Sequence, residues 1–167
     1  MLGPAKFLQR LEPTRRILGV VNTSRGMGLS LSDPYLSFSK PLLLDSAQNM
    51  LSISKFVDKL PSVMREHDCG GILIGRQMGV LMTVQDEVMQ QAELTELLKQ
   101  EGDLIQQYPC TTSDLDCDKA TYDKEIRENL LWEGLKVGDS DFACDHSALS
   151  MQVWLDEHCG GWANTFG

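Results

Sequence analysis

Gly70-Gly71-Ile72-Leu73-Ile74-Gly75 is the stretch that most limits how this chain can fold. It is too short for a helix, bounded by glycines and apolar at every side-chain position, so it reads as a strand buried on both faces. Such a strand needs covering layers above and below it, and the flanking sequence supplies them. Ahead of it, Met50, Ile53, Val57, Leu60 and Met64 recur at helical spacing, with Pro61 expected to kink or interrupt the helix. Behind it, Leu81, Val84, Val88 and Ala92 mark a second amphipathic helix reaching about Lys99.

The remainder extends this frame. Residues 16–23 (RILGVVNT) form a β-branched, apolar strand, and 26–32 (GMGLSLS) alternate as its hairpin partner, with a turn around 24–26. A third strand is predicted over 38–44, a weaker one over 104–110, a helix over 118–135 and a last helix over 145–157. In the last helix Ala148, Met151, Gln152 and Leu155 share a side. Strands first, then alternating helices and strands, indicate an α/β fold: a mixed sheet of about five strands with an N-terminal antiparallel hairpin at one edge and flanking helices.

A chain of 167 residues suits one domain, divided into an N-terminal arm over 1–15, a folded body over 16–158 and a flexible tail over 159–167. No apolar run approaches the roughly 20 residues of a membrane span. The net charge of −9 argues against tight sequence-independent binding to nucleic acid, which depends on Lys and Arg contacts to phosphates. The charge is polarised, however. Lys6, Arg10, Arg15, Arg16 and Arg25 face only Glu12 in the first 25 residues, whereas residues 86–125 are strongly acidic.

Five cysteines, an odd number without a Cys-x-x-Cys pair, favour a reducing intracellular compartment. The arginines of the first 16 residues, with Phe7, Leu8 and Leu11, resemble a mitochondrial targeting segment, which points to the matrix with the cytoplasm as the alternative. Cys144 and His146, His158 and Cys159, and His67 and Cys69 lack the spacing of a zinc site, so no metal is assigned to them. Trp132, Trp154 and Trp162 read as core, rim or interface anchors.

The run from Ile17 to Pro34 (ILGVVNTSRGMGLSLSDP) resembles the opening motif of the YqgF/RuvX family, Holliday-junction-resolvase-like nucleases associated with ribosomal RNA processing. Gly19, Arg25, Gly28, Leu31, Ser32 and Asp33 fall in register with that motif without a gap. Pro41 and the strand from Gly71 to Gly75 agree with the middle of the family pattern, although Arg76-Gln77-Met78-Gly79 departs from it. The run from Asp145 to Asp156 (DHSALSMQVWLD) resembles the closing helix. The resemblance covers 16–156 and implies a ribonuclease H-like fold.

The resemblance also implies a site of three acids holding divalent metal for phosphodiester hydrolysis. Val21 stands where the first acid is expected and Leu115 where the second is, with Asp114 and Asp116 beside it; Asp145 remains in register. Asp145 also reads as a helix N-cap. The expectation drawn from these positions is a protein that is not an enzyme, without a cofactor. It would serve as a structural or interaction subunit among the protein subunits of a larger, possibly mitochondrial, protein or ribonucleoprotein assembly. One alternative is an active magnesium-dependent nuclease whose carboxylates are rearranged among Asp114, Asp116, Asp118 and Asp145. Another is an RNA-binding module using Arg15, Arg16 and Arg25.

Overall fold

The computed structural model describes residues 1–23, 26–42, 53–76, 84–114 and 142–160. Five strands form one mixed sheet: β1 (Arg16–Thr23), β2 (Gly26–Ser32), β3 (Ser39–Leu42), β4 (Cys69–Ile74) and β5 (Cys110–Thr112), in the order β3-β2-β1-β4-β5. β2 runs antiparallel to both β1 and β3, while β4 and β5 are parallel to β1. The α/β architecture expected from the sequence, a mixed sheet of five strands with flanking helices, is the one observed. The hairpin lies further in than expected: β1 is the central strand, and β3 takes the edge with Pro41 at a position where its missing N–H costs little.

Strand periodicity sorts side chains onto two unlike faces. Leu18, Val20, Met27, Leu29, Leu31, Ile72 and Ile74 pack with α2 (Ile53–Glu66), α3 (Val84–Gln100) and α4 (Gly102–Gln107) in the larger core. The opposite face carries Gly19, Gly28, Ser30, Gly71 and Gly75, and receives α1 (Pro4–Arg10) and α5 (Phe142–His158). The alternation in GMGLSLS therefore separates a bulky buried face from a small buried face.

Several local expectations differ from the structure. α2 continues through Pro61, its apolar face of Phe56, Val57, Leu60, Val63 and Met64 holding it to the sheet. Residues 104–107 are helical, and β5 begins only at Cys110; Leu104 and Ile105 are an apolar pair that suits either state. α3 is rotated from the predicted phase: Val88 and Ala92 are exposed, whereas Glu87, Leu94 and Leu98 are buried. The helix expected over 118–135 lies outside the described residues, as do Trp132 and Trp162.

The first fifteen residues pack as part of the body. Phe7 is fully buried beneath Trp154 in an edge-to-face contact with centroids 5.7 Å apart. Leu2 forms a parallel bridge to Thr111, its N–H donating to the Cys110 carbonyl at 3.0 Å. Among the described residues no helix is long and apolar enough to cross a membrane.

Candidate functional site

The C-terminal ends of β1, β4 and β5 open at one edge of the sheet, the usual place for a site in an open α/β fold. α5 lies close over this region because glycines in β1, in β2 and just after β4 remove the side chains that would hold it off. A methyl group at Gly28 would collide with the Ala143 carbonyl, and one at Gly19 would meet Met151 at 2.7 Å and Ser147 at 3.3 Å. One at Gly75 would collide with Ser150. Serine hydroxyls complete the contact: Ser30 and Ser147 pair at 2.8 Å, and Ser150 Oγ accepts the Arg76 N–H at 3.2 Å.

Val21 lies on this face, its Cγ2 on the side of Gly75 that Ser150 occupies, and it is buried. Asp145 is also buried, in the first turn of α5. It stands three residues past Phe142, inside the helix, so the N-cap reading is corrected: the helix begins earlier than the polar residue that would have capped it. Asn22 points to the other face, as alternation requires, where its Nδ2 donates to the Gln90 carbonyl of α3 at 3.4 Å.

That other face contains a polar group the sequence reading missed. Arg76, directly after Gly75, pairs with Glu87 of α3 at 3.3 Å, the two side chains being 7% and 3% exposed. Arg76 also donates through Nη1 to the Asp114 carbonyl at 3.3 Å. Gln91 Nε2 bridges the Ile74 and Ser113 carbonyls at 3.0 and 2.6 Å, tying the ends of β4 and β5 together. The available signal was an arginine closing a buried strand, followed by an acid in the first turn of the next helix.

The carboxylates are thus divided by the sheet. Glu87 approaches with α3 on one face, Asp145 with α5 on the other, and Asp114 is exposed beyond the end of β5. Asp116, Asp118 and Leu115 lie outside the described residues. Among the described residues no three His, Cys, Asp or Glu side chains converge to hold a metal ion, so these donors by themselves do not fit a divalent cation.

Cys69 and Cys110 are buried, and that burial pushes their thiols up to about 12 and about 11, away from the thiolate that binds metal or attacks an electrophile. Burial raises the Cys159 thiol to about 11 as well. The basic residues are not brought into one face. Arg15 binds Glu12 at 2.8 Å and lies 3.9 Å from Asp68, Arg16 turns toward β2 and β3, and Arg25 is outside the described residues.

Other positions of the sequence resemblance have structural duties. Asp33 accepts backbone N–H groups from Ser37 at 2.7 Å and Phe38 at 2.8 Å, closing the loop before β3. Gln152 clamps α5 to that loop, accepting the Ser39 N–H at 2.9 Å and donating to the Ser37 carbonyl at 3.1 Å.

No family model and no curated protein matches the chain. Solved structures do. The yeast mitochondrial Holliday junction resolvase Ydc2 aligns with a TM-score of 0.52 at 15% identity, over 93% of this chain and 84% of that one. T. thermophilus RuvC in complex with Holliday junction substrate aligns with a TM-score of 0.49 at 7% identity, over 87% of this chain and 96% of that one. The assignment rests on the first: the chain has a Holliday-junction-resolvase-like ribonuclease H fold. This likeness corrects the expectation that the protein is not an enzyme, because the fold it shares over nearly its whole length is that of a resolvase. Val21 and Leu115 carry no carboxylate, but Asp116 and Asp118 belong to the segment outside the described residues.

Proposed function

We propose that this protein is a resolvase-type phosphodiester hydrolase acting on branched DNA or structured RNA, ribosomal RNA precursors included. The observation that carries the reading is Asp145, a buried carboxylate in the first turn of an α5 drawn in against Gly19, Gly28 and Gly75. In this reading Asp145 works with acids from Asp114, Asp116 and Asp118 in place of the positions taken by Val21 and Leu115. Magnesium is the cofactor it calls for. Because the described donors alone do not fit that ion, at least one acid of the segment 115–141 is required.

Support for a mitochondrial setting comes from Ydc2, a mitochondrial resolvase, and from the arginines of the first 16 residues. We place the protein there among the subunits of a larger assembly, to be tested by copurification. The decisive experiment is cleavage of a four-way DNA junction and of a structured RNA with magnesium or manganese. Wild type should cut at least one substrate, and Asp145→Asn should abolish cutting while its circular dichroism and melting temperature stay near wild type. Folded wild type that cuts neither substrate, or cutting untouched by Asp145→Asn, would overturn the proposal.

A further inference from the structure

At the opposite end of β1 from Val21, a cleft of about 190 Å³ opens beside β2 and β3, lined by Arg16, Ser32, Asp33, Phe38 and Lys40 among others. The five-residue step along β1 from Arg16 to Val21 places it roughly 17 Å from the candidate site at the rise of a β-strand. Its chemistry is distinctive in a protein whose net charge is −9. Arg16 and Lys40 both line it, and neither forms an ion pair among the described residues.

The one carboxylate in the lining is already engaged. Asp33 accepts the N–H groups of Ser37 and Phe38 with one oxygen and that of Tyr35, at 3.3 Å, with the other. Ser32 Oγ is likewise committed, accepting the Ile17 N–H at 2.8 Å. Against the single negative charge of Asp33, whose oxygens are turned to the loop N–H groups, the lining offers a ligand two cationic side chains and an aromatic ring: Phe38 is 58% exposed on a loop held by Asp33. Exposure of a large apolar ring beside cations suits a ligand that combines anionic charge with a flat aromatic surface.

We infer that this cleft is a second binding site for single-stranded nucleic acid, with Arg16 and Lys40 on a phosphate and Phe38 under the adjacent base. The volume is smaller than that of a drug-sized pocket, and matches one phosphate entering the cleft while the base stacks at its rim. The inference rests on the nucleic-acid reading above but adds to it a contact remote from Asp145. A strand held there is anchored at one end of the sheet and free to extend toward the other.

Binding of a short fluorescein-labelled oligo(dT) by fluorescence anisotropy, in EDTA and across a salt series, tests it without any hydrolysis. Arg16→Gln and Lys40→Gln should each weaken binding, and the double variant should reduce the slope of log affinity against log salt by about 0.7, the release expected for the one phosphate they share. Phe38→Ala should weaken binding roughly fivefold or more with little change in slope. Lys99→Gln, on the solvent side of α3, should bind as wild type. A melting curve for each variant checks its fold; should Arg16→Gln fail to fold, Lys40→Gln and Phe38→Ala, both at exposed positions, still decide the matter.

Wild type that does not bind, or binding equal in wild type and the Arg16, Lys40 and Phe38 variants, overturns the site. Losses at the two cations without any at Phe38 overturn the assignment to a nucleic-acid strand. Failure of the hydrolase reading is distinguishable, because it appears as absent cleavage with oligo(dT) binding intact.

Discussion

The guanidinium of Arg76 lies 3.3 Å from the carboxylate of Glu87, and the sheet and α3 together keep both away from water. The pair joins the end of β4 to the first turn of α3. Arg76→Met takes the guanidinium away from the buried Glu87 carboxylate, and breaking such a pair costs about 3–5 kcal/mol. The double variant Arg76→Met with Glu87→Leu removes both charges and should regain most of the loss. Urea unfolding of wild type, the single variant and the double variant measures both effects; a double variant no more stable than the single one would contradict this account.

Gly28 and Gly102 make opposite predictions from the same substitution. Gly28→Ala drives a methyl into the Ala143 carbonyl and should destabilise the protein by at least about 1–3 kcal/mol, with α5 undocking first. Gly102 opens α4 and has nothing near its missing side chain, so Gly102→Ala should stabilise by about 0.5–1 kcal/mol. Hydrogen exchange over α5 distinguishes local undocking from uniform loss of stability.

Thiol labelling at pH 8 reads the burial of the cysteines. Cys69 and Cys110, with thiols raised to about 12 and about 11 by desolvation, should stay unmodified by iodoacetamide in the native protein and react fully in denaturant. Native folding favours their neutral form, so the stability they contribute is complete below the unfolded value near 9.0 and is lost as pH climbs through 11 to 12. Peptide mapping by mass spectrometry identifies each site; rapid native labelling of Cys69 would count against the packing of β4 described above.

Asp156 behaves in the opposite sense to an ion-paired acid. Burial raises its pKa above 3.8, only partly countered by the hydrogen bond from Gln152, so the folded state prefers it protonated. The stability from that preference is full below 3.8 and fades as pH rises toward the folded value, leaving the carboxylate a small cost at neutral pH. Asp156→Asn keeps an acceptor for Gln152 and should melt slightly above wild type at pH 7, with the difference shrinking at pH 3. An Asn variant that melts lower at pH 7 would refute this.

The hairpin, β4 and α2 were legible because their large apolar residues fall at the period of the element that holds them: Ile72 and Ile74 on one face, Phe56, Leu60 and Val63 on a helical stripe. α3 misled for the converse reason. Its sheet-facing stripe includes Glu87 and Gln91, whose polarity is satisfied by Arg76 and by the Ile74 and Ser113 carbonyls. Hydrophobic period alone cannot find a buried face built on such partners. Asp145 was identifiable as a site candidate from the resemblance, but its place inside α5 depends on a helix start three residues upstream. The use of Gly19, Gly28 and Gly75 became clear only when α5 was seen lying across them.

Arginines interspersed with leucines at the front of a chain are the usual look of a leader that is clipped off after delivery. Here those residues are structural members. Leu2 runs along the open side of β5, where Thr111 Oγ1 donates to its carbonyl at 2.8 Å, and Phe7 is buried under Trp154. A protease cutting anywhere between Leu2 and Leu11 would unmask an edge strand prone to pairing with other chains and empty part of the core. Loss of residues 1–11 would therefore cost the fold both the cover over β5 and one half of the Phe7–Trp154 aromatic pair.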